Sequence, residues 1–298
     1  MSDNDLDQLR RQIDEIDDAL HGLLLKRMQV VEGIARAKET GTKGTGAGKT
    51  VAMRPGREAI VMRRLLARHS GRFPAGALIR IWREMMGAVT GLQGPFSIAV
   101  CVPENQRGFW DMARDHFGGQ VPMRRHSSAA QVLAEIGEDP GVVGLLPVPT
   151  EQDKECWWPA IVGDFESTPN IVARVPFLRA GNARTEGLSG FIVARLKPES
   201  SGPEGQDRTL LVLESPTDVS RSRIAAALQA AKLPGFTSAI RHDPSGGGVA
   251  YLLELPVFMI DGDSRLGQLE TALATPGLRL TPIGCYAVPA DLQGAAAG

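Results

Sequence analysis

Apolar residues fall at Leu6, Leu9, Ile13, Ile16, Leu20, Leu23, Val30 and Ile34. These steps of three and four predict one long helix with a narrow apolar seam. Acidic residues crowd its start and Arg36 and Lys38 its end, as the helix dipole prefers. The stretch GTKGTGAGKT, residues 41–50, interrupts the pattern. Pro55 then suits the first turn of a second helix, GREAIVMRRLLARH, which SGRFP ends. A third helix, AGALIRIWREMMGAVTGL, follows. The first helix is too long to pack within its own subunit, so the pattern predicts an all-α, three-helix N-terminal domain over residues 1–93 that forms an intertwined dimer.

From Phe96 the period changes. FSIAVCVP and GVVGLLPVP read as buried strands, with helices RGFWDMARDHF and SSAAQVLAEI between them. This predicts a small α/β segment over residues 94–200, closed by PESSGPEGQD, which reads as a linker. Beyond it RTLLVLES, RSRIAAALQAAK, FTSAIRH, VAYLLELPV, RLGQLETALA and RLTPIGCYAV follow the order strand, helix, strand, strand, helix, strand. That order predicts a ferredoxin-like βαββαβ domain over residues 207–290. The fold class expected is therefore multidomain.

The seam contains one anomaly. Its alternating steps require an apolar residue at position 27, which is Arg27. A guanidinium cannot shed its charge, so it either snorkels to solvent, pairs with a carboxylate, or meets an anionic ligand. Lys38, eleven residues on, returns to within about 20° of Arg27 on a helix, so the two cations share a face. Arg10 lies about 100° around the helix and roughly 25 Å along it. It cannot serve the same pocket within one subunit, but in an antiparallel dimer the partner's Arg10 could.

Composition narrows the ligand. With 33 basic and 34 acidic residues the chain lacks the surplus of a nucleic-acid binder, so any anion read here is small. Residues 41–50 imitate a phosphate-binding loop, but the frame puts Lys43 where the first glycine belongs and no buried strand precedes it. A nucleotide is not expected. Cys101, Cys156 and Cys285 are scattered, and neither they nor the five histidines show metal-ligand spacing. No apolar run is long enough to span a bilayer, and the acidic N-terminus has no signal-peptide core, so a soluble, cytoplasmic protein with no membrane partner is expected.

LRRQIDEIDDALHGLLLKRMQVVEGIARAK, then RPGREAIVMRRL and ALIRIWREMMGAV...LQ, together resemble the all-helical (type II) chorismate mutase family across residues 4–93. The resemblance implies that Arg10 of one subunit and Arg27 of the other hold the two carboxylates of chorismate. It implies that Lys38 and Gln93 face the ether oxygen, and that Arg57 and Glu58 lie around the ring hydroxyl and the neighbouring carboxylate. The implied activity is rearrangement of chorismate to prephenate in phenylalanine and tyrosine biosynthesis. That reaction needs no nucleophile, proton transfer, metal or cofactor; the site must hold a compact dianion and stabilise charge growing on the ether oxygen. Whether Glu58 acts protonated or as an acceptor, or is an ordinary first-turn carboxylate, the residues leave open. Two positions depart from the family pattern: Val89 replaces a frequent Ser, and Arg54 a frequent Asp.

The downstream order is similar to the bifunctional enzymes that join chorismate mutase to a prephenate dehydratase and an ACT regulatory domain. GPFSIAV, VVGLLPVP and SGFIVARLKP match the dehydratase strands, and the region ending IGCYAVP looks ACT-like. The dehydratase-like segment is short for two lobes, however, and lacks a Thr-Arg-Asp-Thr-Ser-type motif. The ACT-like segment lacks the Gly-Ala-Leu and Glu-Ser-Arg-Pro elements associated with phenylalanine. A chorismate mutase with non-catalytic C-terminal segments is the expectation. The alternatives are a bifunctional mutase and dehydratase, and a catalytically silent chorismate-binding regulatory protein.

Overall fold

The computed structural model describes residues 3–41, 51–153, 156–178, 185, 187–203, 205–243 and 247–291. By its contacts the chain divides between residues 48 and 49 into two units. The first unit is helix α1, Asp3–Gly41, about 58 Å long at 1.5 Å per residue. Its seam residues Leu6, Leu9, Ile13, Ile16, Leu20, Leu23, Val30 and Ile34 are all 40–62% exposed. The glycine-rich loop lies outside the described residues from position 42 onward.

The second unit opens with α2, Pro55–Arg68, and α3, Ala75–Gln93. Pro55 sits in the first turn of α2, where its missing N–H has no helical partner to lose. Then come β1 Ser97–Cys101, α4 Gly108–Phe117, β2 Met123–His126, α5 Ala129–Glu138 and β3 Val142–Pro147. After a 3-10 turn at Trp158–Ile161 follow β4 Asn170–Val175 and β5 Gly190–Ala194. The remainder runs β6 Asp207–Ser215, α6 Arg221–Ala230, β7 Phe236–His242, β8 Val249–Leu255, α7 Ser264–Leu273 and β9 Arg279–Ala287. The chain is thus a helical N-terminal region followed by a large mixed sheet.

The strands join in the order β2-β1-β3-β5-β4-β9-β6-β8-β7. β1 pairs in parallel with β2 and β3, β5 is antiparallel to β3 and β4, and the last four strands are antiparallel throughout. The two halves meet where Ile171 of β4 pairs in parallel with Gly284 of β9. Gly284 has φ +147°, and a Cβ there would lie 2.1 Å from the Ile171 carbonyl oxygen, so only glycine lets the two backbones meet. On one face of the sheet α5 packs with Trp157 and Trp158 against Ala99, Cys101 and Val193. The other face takes α4 on Ile98 and Val100, and α6 and α7 on Leu211 and Leu213.

Two sequence expectations need correction. PESSGPEGQD is no free linker: Ser201 is 1% exposed, and Asp207 accepts from the Ser201 N–H at 3.0 Å and from the Ser200 hydroxyl at 2.8 Å. Ser201 and Gln206 also accept from Arg63 of α2. Strands β2 and β4 were also not expected. MRRH is an edge strand whose charged residues blunt pairing with other chains, so it carries no apolar period. NIVARV sits between a turn and a proline, and Asn170 and Arg174 bound its apolar run.

Candidate active site

In α1 the seam carries Arg27 with its Nη1 buried and without a hydrogen-bond partner among the described residues. A buried guanidinium nitrogen left unpaired costs about 1–3 kcal/mol or more, a cost that an anionic ligand or an acceptor on another chain would remove. Arg10, two-thirds exposed, pairs with Asp7 one turn earlier at 3.1 Å; such surface pairs contribute well under about 1 kcal/mol, so Arg10 is easily recruited elsewhere. Lys38 lies on the last turns of the same helix, with its side chain outside the described set.

In the second unit, Arg57 and Glu58 open α2, and their side chains part company. Arg57 is exposed. Glu58 turns inward and accepts from Arg83 Nη1 of α3 at 2.6 Å, with the two side chains only 15% and 6% exposed. They line a cavity of about 10 Å³, shared with His116 of α4, Arg174 and Val172 of β4, and Phe177; that is about the room one water needs. The Arg83 guanidinium lies 5.7 Å from the centre of the Phe177 ring, a cation–π distance. Desolvation, and secondly the charge of Arg83, hold the His116 pKa well below its ordinary value near 6.5, so this ring stays neutral.

Gln93 is the last residue of α3 and donates to the Val89 carbonyl at 3.3 Å. It lies ten residues beyond Arg83, about 15 Å along the helix axis, so Glu58 and Gln93 occupy different ends of the α2–α3 pair. Val89 is buried. Arg54, the other departure, binds Glu199 at 2.9 Å. The six expected site residues therefore fall into Arg10, Arg27 and Lys38 on one unit, and Arg57, Glu58 and Gln93 on the other.

Sequence reasoning passed over Arg83. The signal was present, because Ile79, Arg83, Met86 and Thr90 fall at helical spacing on the face of α3 that is turned inward. A cation breaking that stripe is the same anomaly that singled out Arg27.

With this geometry in place, residues 9–94 match the model of type II chorismate mutase. The chain is 32% identical over 157 residues to the bifunctional chorismate mutase/prephenate dehydratase of Pseudomonas aeruginosa, and 29% identical over 158 residues to that of Stutzerimonas stutzeri. Each match covers 52% of this chain and 41% of the relative, so the alignment takes in about two-fifths of those proteins. Among solved structures, a prephenate dehydratase from Streptococcus mutans aligns with all of its own length and 65% of this chain, at 12% identity and TM-score 0.43. The family match is thus to type II chorismate mutase, and it covers the N-terminal helical region, residues 9–94.

Proposed function

We propose that this protein is a chorismate mutase, rearranging chorismate to prephenate in phenylalanine and tyrosine biosynthesis. The observation that carries the reading is Arg27, a buried guanidinium nitrogen with no described partner, placed in an apolar seam inside the matched region. A dianion of small size supplies the missing acceptors. Arg27 and the partner subunit's Arg10 take the two carboxylates, Arg57 faces the carboxylate beside the ring hydroxyl, and Glu58 reaches that hydroxyl only by leaving Arg83, since the cavity they share holds about one water. Lys38 and Gln93 donate to the ether oxygen as its bond to carbon breaks. Catalysis is then preorganised charge and restricted geometry, with no proton transferred.

The shared site requires a homodimer. The exposed stripe along α1 supports this, since an apolar face of that length on one helix calls for a matching helix. Residues 94–200 are read as a truncated dehydratase-like segment. Residues 207–290 are read as a ferredoxin-like, ACT-like domain, supported by the βαββαβ order and by the strand order β9-β6-β8-β7.

A bifunctional mutase and dehydratase is a second reading, favoured by the length of the alignment to the two curated relatives. It exceeds the residues of the mutase match alone. The purified chain mixed with chorismate after exhaustive chelation separates the possibilities. Loss of chorismate absorbance with accumulation of prephenate is the expected result. Enzyme-dependent phenylpyruvate would establish the second reading, and persistence of chorismate would overturn both.

A further inference from the structure

Arg63 lies on α2, five residues after Glu58, and is not among the residues that line the Glu58–Arg83 cavity. Its Nη1 donates to the Ser201 carbonyl at 2.9 Å, the Ser201 hydroxyl at 2.8 Å and Gln206 Oε1 at 2.9 Å. Its Nη2 donates to the Gln206 carbonyl at 2.9 Å and the Val288 carbonyl at 3.0 Å. Gln206 immediately precedes β6 and Val288 immediately follows β9, so one guanidinium binds both ends of the βαββαβ unit. Those ends also bind each other, the Val288 N–H donating to the Gln206 carbonyl at 2.8 Å. The ring centre of Phe177, two residues past β4, lies 5.8 Å from the Arg63 guanidinium and 5.7 Å from that of Arg83, so both arginines share the ring.

The start of α2 sits on the same segment. Arg54 pairs with Glu199, and a Cβ at Gly56 would lie 2.6 Å from the Ser200 carbonyl oxygen. From Arg54 to Arg63 the helix is thus docked against Glu199, Ser200, Ser201 and Gln206. Lysine would not serve at position 63, because three donors on one atom cannot span five acceptors on three residues.

We propose that Arg63 is a positioning residue: it fixes the register of α2, and with it Arg57 and Glu58, to the closed base of the βαββαβ unit. Movement at that base is transmitted to the wall of the candidate site through α2, with the five hydrogen bonds of Arg63 as the main polar link. The consequence for catalysis rests on the mutase reading. The mechanical link does not, and it has its own readout.

The experiment compares Arg63→Met, Arg63→Lys and the milder Gln206→Ala with the parent chain, using Arg80→Ala as a control whose exposed pair with Asp115 is remote from the latch. Chorismate turnover is measured well below each unfolding transition, alongside amide hydrogen exchange in residues 55–68 and 199–206. Arg63→Met is expected to lose about 10- to 100-fold in kcat/KM, the scale of a displacement near 1 Å at reacting groups. Exchange should rise in both segments together, with Arg63→Lys intermediate and Arg80→Ala unchanged. If Arg63→Met does not fold, Gln206→Ala must show the same paired rise in exchange, or the latch is refuted. Folded Arg63→Met with kcat/KM within about twofold of the parent overturns the positioning role. If the parent itself leaves chorismate untouched, the mutase reading fails separately, and unchanged exchange in residues 55–68 then overturns the latch.

Discussion

Replacing Arg83 with methionine keeps most of the side-chain volume while leaving Glu58 in a cavity with its charge uncompensated. Both side chains are nearly removed from water, at 6% and 15% exposure, and only 2.6 Å separates them. Removing one partner of such a pair costs roughly 3–5 kcal/mol. Losing the contact with the Phe177 ring adds about 0.5–2 kcal/mol. Replacing both, as Glu58→Gln with Arg83→Met, removes the stranded charge and should recover most of the loss, since an uncharged pair of similar volume is often neutral. The chain has four tryptophans, Trp82, Trp110, Trp157 and Trp158, and all lie beyond residue 48, so fluorescence follows the second unit alone. For a unit near 250 residues each kcal/mol moves the melting temperature by about 2–4 °C. The single variant should therefore melt about 10–20 °C low, and the double variant within a few degrees of the parent. A single variant within about 2 °C of the parent, or a double variant as unstable as the single, would show that burial of this pair has been misread.

The remaining expectations concern dimerisation, shared sites and acid sensitivity. Leu20→Asp places a charge in the exposed seam of α1 and should shift sedimentation at micromolar concentration from dimer to monomer; an unchanged dimer would refute the seam as the interface. Arg10→Ala and Arg27→Ala should each be nearly inactive, and a co-refolded statistical mixture should return about one quarter of parental activity, because half of the dimers then contain one intact site. No recovery despite proven subunit exchange would place both arginines in a site within one chain. His116 is neutral when folded, its pKa depressed first by desolvation and then by Arg83, whereas the unfolded chain takes up a proton near pH 6.5. Its contribution to stability is therefore full above that pH and drains away as pH falls below it. His116→Gln should flatten this acid loss, and an unaltered stability profile between pH 5 and 7 would count against it.

The local content of the chain was legible because helices and strands are set by short-range periodicity. The threes and fours from Leu6 to Ile34 mark α1, Pro55 marks the start of α2, and alternation of strands and helices after residue 207 marks β6 to β9. Arg27 was legible for the same reason, since a cation at a seam position conflicts with its neighbours whatever the tertiary fold. Pairings between distant segments were not. That β4 meets β9 depends on Gly284 giving way to Ile171, more than one hundred residues apart, and nothing near either position announces it. That Glu58 turns to Arg83 depends on how α2 and α3 pack together. That Ser201 and Asp207 lie buried in a stretch that reads as a linker depends on Arg63 and Asp207 satisfying polar groups that, read locally, belong in water. Periodicity records which face of an element is apolar; only the folded chain decides what covers that face, and which charges are paired as a result.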